Sequence, residues 1–160
     1  MFRSKKFRKD EHAIELPINI VVMLVVGMVA LAALLSIIPK SKENMSVDII
    51  DVKVANDTTF KGNTAKVTGA GDYVVNVNIN VYDKDNNPVE KASATLSGGG
   101  GFGTEQTDKD GKAKITLGYC GTQVTIRPNQ QSVELKLVVK ANGFYDYEDE
   151  RAVLLYQTRD

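Results

Sequence analysis

Twenty-three consecutive residues, Leu16 to Ile38 (LPINIVVMLVVGMVALAALLSII), carry no charge, and only Pro17, Asn19 and Ser36 interrupt an otherwise apolar run. A helix rises about 1.5 Å per residue, so the segment spans the roughly 30 Å hydrocarbon core of a bilayer with a little to spare. The competing explanation is a helix buried in a soluble protein, which requires a shell of amphipathic elements around it. The rest of the chain reads as strands, so the sequence predicts a transmembrane helix.

The flanks set an orientation. Arg3, Lys5, Lys6, Arg8 and Lys9 precede the segment, whereas Lys40 and Lys42 follow it with Glu43 close behind. The positive-inside rule then puts the N-terminus in the cytoplasm and the C-terminal part outside the cell. The apolar run is longer than the roughly 7–15 residues of a removable secretory signal, and Ser36-Ile-Ile-Pro39 is a poor cleavage site. A retained, single-pass helix is expected, with membrane lipid as its partner.

Arg8-Lys-Asp-Glu-His-Ala-Ile-Glu-Leu16 resembles the class III signal of type IV pilin-like proteins, the archaeal ones in particular. That resemblance implies a basic leader removed by a prepilin peptidase on the cytoplasmic side, between Asp10 and Glu11. Glu15 then becomes the fifth residue, where many pilins carry a glutamate that neutralises a neighbouring subunit's free amine during assembly. An unpaired carboxylate at a membrane boundary is costly, and an amine is a suitable partner. Acids in a first helical turn are also favoured by the helix dipole alone. Asp10 stands where such leaders more often have Gly or Ala, and Pro39 with the polar run to Asn44 stops the helix early. Gly27, Ala30 and Ala33 recur three apart, a small face for close helix approach, although such residues are common in membrane helices.

Charges balance overall, 20 basic against 20 acidic. Setting aside the five basic leader residues and Asp10, Glu11 and Glu15 leaves 15 basic and 17 acidic from Pro39 onward. That near-neutral domain gives no electrostatic reason to expect nucleic acid as a partner. Cys120 is the single cysteine, so no intramolecular disulfide is available, and nothing is spaced for a zinc site.

Beyond Asn44 the pattern alternates. Val47, Ile49, Val52 and Val54 suggest a strand broken near Asp51. Asp72 to Tyr82 is the clearest strand, with Val75, Val77, Ile79 and Val81 on one face and Asn76, Asn78 and Asn80 on the other. Further strands are expected at 89–96, 112–117, 123–127, 133–139 and 151–156, separated by turn signals such as Asp110-Gly111 and Asn142-Gly143. Seven or eight short strands point to an all-β antiparallel sandwich, with a small barrel as the other closure.

The stretch Val81-Tyr-Asp-Lys-Asp-Asn-Asn-Pro-Val, continuing to Leu96, and then Thr107-Asp-Lys-Asp-Gly-Lys-Ala-Lys-Ile-Thr-Leu117, is similar to Ig-like domains of the invasin and carboxypeptidase-regulatory kinds. The resemblance implies an Ig-like sandwich with a structural or adhesive role. The expected layout is a leader at 1–10, a transmembrane helix at 11–39, a linker at 40–46 and the extracellular domain at 47–160.

Signals for chemistry are weak. Asp83-Lys-Asp85 and Asp108-Lys-Asp110 alternate oxygen ligands, but neither loop supplies the six to eight oxygens calcium wants, so turn formation explains them better. Ser97-Gly-Gly-Gly-Gly-Phe-Gly103 lacks the G-K-[ST] ending of a phosphate loop and reads as a flexible hairpin tip with Phe102 exposed. His12 is the single histidine, which excludes a His-dependent triad in the outer domain. Asn44-Met-Ser46 and Asn56-Asp-Thr58 are glycosylation sequons. Phe144, Tyr145, Tyr147 and Tyr156 form an aromatic group interleaved with acids, which suits plugging a sandwich end, although an acidic, aromatic loop can also serve as a docking edge. No cofactor is expected and an enzyme is disfavoured. The expected function is a pilin-like subunit of a cell-surface filament, assembling with copies of itself or related subunits. The alternative is an uncleaved, membrane-anchored Ig-like binding or scaffold protein.

Overall fold

The computed structural model describes residues 12–38, 41–54, 58–118 and 121–158, with side chains of the helix described from Pro17 onward. The chain divides into two units, Met1–Lys40 and Ser41–Asp160.

The first unit is helix α1, His12–Ile37. Pro17 lies inside it without ending it, at the cost of one backbone hydrogen bond near the N-terminus, where few partners exist anyway. Pro17–Ile37 is long and apolar enough to cross a membrane, about 31 Å at helical rise. Its large side chains, from Ile18 to Ile37, are exposed on every side, including Met23, Val26, Val29 and Leu34. A helix apolar all round has no stable face for water, so lipid or other helices must cover it.

The second unit is a β-sandwich, as the alternation led us to expect. One sheet has the order β2-β1-β5-β8, built from β1 (Met45–Val54), β2 (Thr58–Lys61), β5 (Val75–Asp83) and β8 (Lys112–Leu117). The facing sheet has the order β3-β11-β10-β6-β7, built from β3 (Thr64–Thr68), β6 (Ser93–Gly98), β7 (Gly101–Gln106), β10 (Ser132–Lys140) and β11 (Tyr147–Thr158). A short ribbon pairs β4 (Gly71–Tyr73) with β9 (Val124–Ile126). All these pairs are antiparallel except β3 with β11, which run parallel.

The alternating residues of β5 form the middle of the core. Val75, Val77, Ile79 and Val81 are fully buried against Leu96, Ile115, Leu117, Leu135, Leu137 and Leu155. Each such side chain contributes about 1.5–3 kcal/mol by leaving water. The break expected near Asp51 is a β-bulge: Ile49 faces Ile79 and Asp51 faces Asn78, so Ile50 is the extra residue and turns outward. That single insertion restores Val52 and Val54 to the core face. A larger bulge lies between β10 and β11, where Lys136 alone stands opposite Glu150, Arg151 and Ala152. Ala152 and Val153 are thereby both buried.

Strands β2, β3 and β7 went unread in the sequence, the strand expected over 72–82 is divided into β4 and β5, and β11 starts earlier than expected. Of the stretch 89–96, only the part from Ser93 is strand. Val89 and Ala92 are instead buried in a loop.

Candidate functional site

Two loops that raised the question of metal binding have the same construction. Asp83 Oδ1 accepts from the amides of Asp85 and Asn87, both at 2.8 Å, and Oδ2 accepts from Asn87 Nδ2 at 3.0 Å. Asp108 Oδ1 likewise accepts from the amides of Asp110 and Lys112, both at 2.9 Å. In each the fourth residue takes a positive φ, Asn86 at 62° and Gly111 at 71°. The aspartates therefore serve as turn caps, with oxygens directed at their own backbone. The Asp83 carboxyl is held below the ordinary aspartate range, first by the Asn87 side-chain amide and then by the backbone amides of Asn87 and Asp85. No cluster of three or more His, Cys, Asp or Glu suited to a metal occurs among the described residues.

The two turns meet. The Val81 amide donates to the Gly111 carbonyl at 2.8 Å, and a Cβ on Gly111 would lie 2.5 Å from the Val81 carbonyl oxygen. Each turn also takes the chain from one sheet to the other, β5 to β6 and β7 to β8. The second turn, marked in the sequence by Asp110-Gly111, is not a hairpin within one sheet. Its base is closed by a bond from the Asp108 amide to the Lys112 carbonyl, but the strands beyond it belong to different sheets. Beside them lies the buried Thr107, whose hydroxyl donates to the Val89 carbonyl at 2.6 Å and accepts from the Ala92 amide at 2.9 Å.

The chain enters the domain at this same end. The Glu43 amide donates to the Gly143 carbonyl at 3.0 Å, and the Tyr145 amide donates to the Glu43 carbonyl at 2.9 Å. Lys84 pairs with Glu43 at 3.4 Å, and Lys42 Nζ sits 5.9 Å from the Tyr145 ring centroid. Of the aromatic group, Phe144 and Tyr147 pack against the core, whereas Tyr145 and Tyr156 are exposed at opposite ends. Tyr147 has its hydroxyl pKa raised, by burial first and then by Asp149 and Asp48. In the large bulge, Lys136 Nζ reaches Glu150 at 2.7 Å and Glu148 at 3.3 Å, and these carboxylates hold its pKa above the ordinary lysine value.

The glycine-rich stretch is a two-residue hairpin joining β6 to β7. Gly99 and Gly100, at φ of +58° and +87°, form the turn between paired Gly98 and Gly101. Beyond the tip the stretch is ordinary strand: Gly101 and Gly103 are buried, and Phe102 is exposed. Beside this tip lie two open clefts. One is lined by Gly99, Gly100, Thr125, Arg127, Asn129 and Gln130, the other by Gln131, Ser132, Tyr156 and Gln157. They are the surface feature that sequence reading missed. The only signal was the amide-rich run Asn129-Gln-Gln-Ser132, which reads as an ordinary loop.

Among the sequence-predicted positions, Asn44 is exposed just before β1. Glu15 lies within α1, and its side chain is outside the described residues, as are Asp10, Glu11 and Asn56. No family model matches the sequence, and comparison with curated proteins gives no match either.

Proposed function

We propose that this chain is a pilin-like structural subunit of a cell-surface filament of the archaeal type IV kind, with α1 packed in the filament core and the sandwich on the outside. The observation that carries the reading is the junction of a basic leader, Glu15 and a helix with an apolar surface on every side. Such a helix needs lipid before assembly and other helices after it. In this reading a prepilin peptidase cuts between Asp10 and Glu11. The N-terminus is cytoplasmic before processing, and the Glu15 carboxylate pairs with the amine of a neighbouring subunit.

One observation favours a second reading, a permanently anchored Ig-like binding or scaffold protein. α1 ends at Ile37 and β1 begins at Met45, so the helix does not continue into the domain as it does in many pilins.

The two readings separate at one peptide bond. Mass spectrometry of the protein from its native membrane should find Glu11 as the first residue. An intact leader on the exported protein would select the anchor. In the filament reading, Glu15→Ala abolishes or strongly reduces surface filaments while leaving the domain folded. Normal filament assembly by that variant would remove the role assigned to Glu15.

A further inference from the structure

The end of the sandwich opposite the chain's entry carries the two open clefts, and their chemistry is consistent across both. Asn129, Gln131 and Ser132 are exposed, and their side chains have no hydrogen-bond partner among the described residues. Adjacent residues, Gln130 and Gln131, line one cleft each. The ridge they form is braced. With Gln157 oriented to satisfy both ends, its side-chain nitrogen donates to the Gln130 carbonyl at 2.7 Å and its oxygen accepts from the Ala70 amide at 3.1 Å. The Gln157 backbone amide also donates to the Gln131 carbonyl at 2.7 Å. The cleft walls are thus held in place before any ligand arrives, which lowers the ordering cost of binding.

Tyr156 is exposed on the outer face of β11, with Ser132 of β10 and Lys66 of β3 as its register partners on either side. Arg127 rims the other cleft, and neither Lys66 nor Arg127 has an ion-pair partner among the described residues. The nearby acid is Asp72, whose Oδ1 already accepts from the Thr125 hydroxyl at 2.6 Å. Gly99 and Gly100 form one wall with no side chains, so a ligand can approach the backbone there.

Planar amides and hydroxyls match the donor and acceptor pattern of sugar hydroxyls, and a tyrosine ring offers an apolar face with a polar edge. Two unpaired cations add a preference for negative charge, with Arg127 offering a fork suited to a carboxylate. We propose that this end of the domain binds a carbohydrate chain bearing carboxylate groups, with a sugar ring on Tyr156, hydroxyls on Asn129, Gln131 and Ser132, and acidic substituents facing Arg127 and Lys66. The proposal does not depend on whether the leader is cleaved.

The test uses the full chain in detergent micelles, with polygalacturonate as the acidic probe and dextran as the neutral one, read by microscale thermophoresis at physiological ionic strength. Polygalacturonate should bind in preference to dextran. Tyr156→Ala and Arg127→Ala should each weaken that binding tenfold or more, and Tyr145→Ala, at the other end, should leave it unchanged. Asn129→Ala, at an exposed loop position, serves as a further variant should Tyr156→Ala perturb the fold, and circular dichroism monitors each. No binding of polygalacturonate, equal binding of dextran, or wild-type binding by the Arg127 and Asn129 variants would overturn the proposal.

Discussion

Thr107 is the single buried polar side chain among the described residues, and it bonds both ways across the loop that precedes β6. Thr107→Val keeps the shape but strands the Val89 carbonyl and the Ala92 amide without the hydroxyl. The expected cost is about 1–3 kcal/mol, measured as a lower denaturation midpoint, and Thr107→Ser should recover most of it. Asp83 gives a pH prediction. Its folded pKa is depressed, so its contribution is complete above the unfolded value of roughly 3.9 and fades as pH falls through the lower folded value. Asp83→Asn should flatten the acid limb of a plot of melting temperature against pH below about pH 4. At this scale the sequence was partly legible. Asp83 and Asp108 could be read as turn formers from their neighbours, because a cap is a local bond. Thr107 could not, since its partners lie 15 and 18 residues away and nothing local marks it as buried.

Elements differ in how much of their placement is local. The alternation of β5 was readable because both of its neighbours bury the same face, whereas β2 and β4 are too short to show a period. The bulge at Ile50 was foreshadowed by the break in the apolar pattern. The one opposite Lys136 was not, because it exists only as a mismatch between two strands. β7 was hidden by its glycines, which suggest a loose tip. Their reason is a close crossing: a Cβ on Gly103 would lie 2.5 Å from the Thr116 carbonyl oxygen of β8. Gly103→Ala should therefore destabilise the domain by about 1–3 kcal/mol through overpacking. Gly100→Ala has open space, its nearest foreign atom being 3.7 Å away, and should cost only about 1 kcal/mol for its left-handed backbone. Thermal melts of the two variants should fall in that order.

For the whole molecule, the division into an apolar helix and a β-sandwich was legible from the change in hydrophobic period alone. The clefts beside the Gly99–Gly100 turn were not, because they need residues from distant strands to converge. The membrane reading has a direct check. Leu24→Arg places a charge mid-helix at a cost of about 3 kcal/mol, so the variant should shift from the carbonate-resistant membrane pellet toward the soluble fraction, where the wild type should not appear. The position of β11 has a consequence in time. This strand follows every other in chain order, yet it sits inside its sheet, hydrogen-bonded to β10 on one side and to the early strand β3 on the other. Neither of those neighbours has its full set of backbone partners until β11 arrives. A chain paused during synthesis before Tyr147 therefore holds an open sheet with unpaired strand edges, sensitive to proteases. Completion of the sandwich becomes the last event of synthesis.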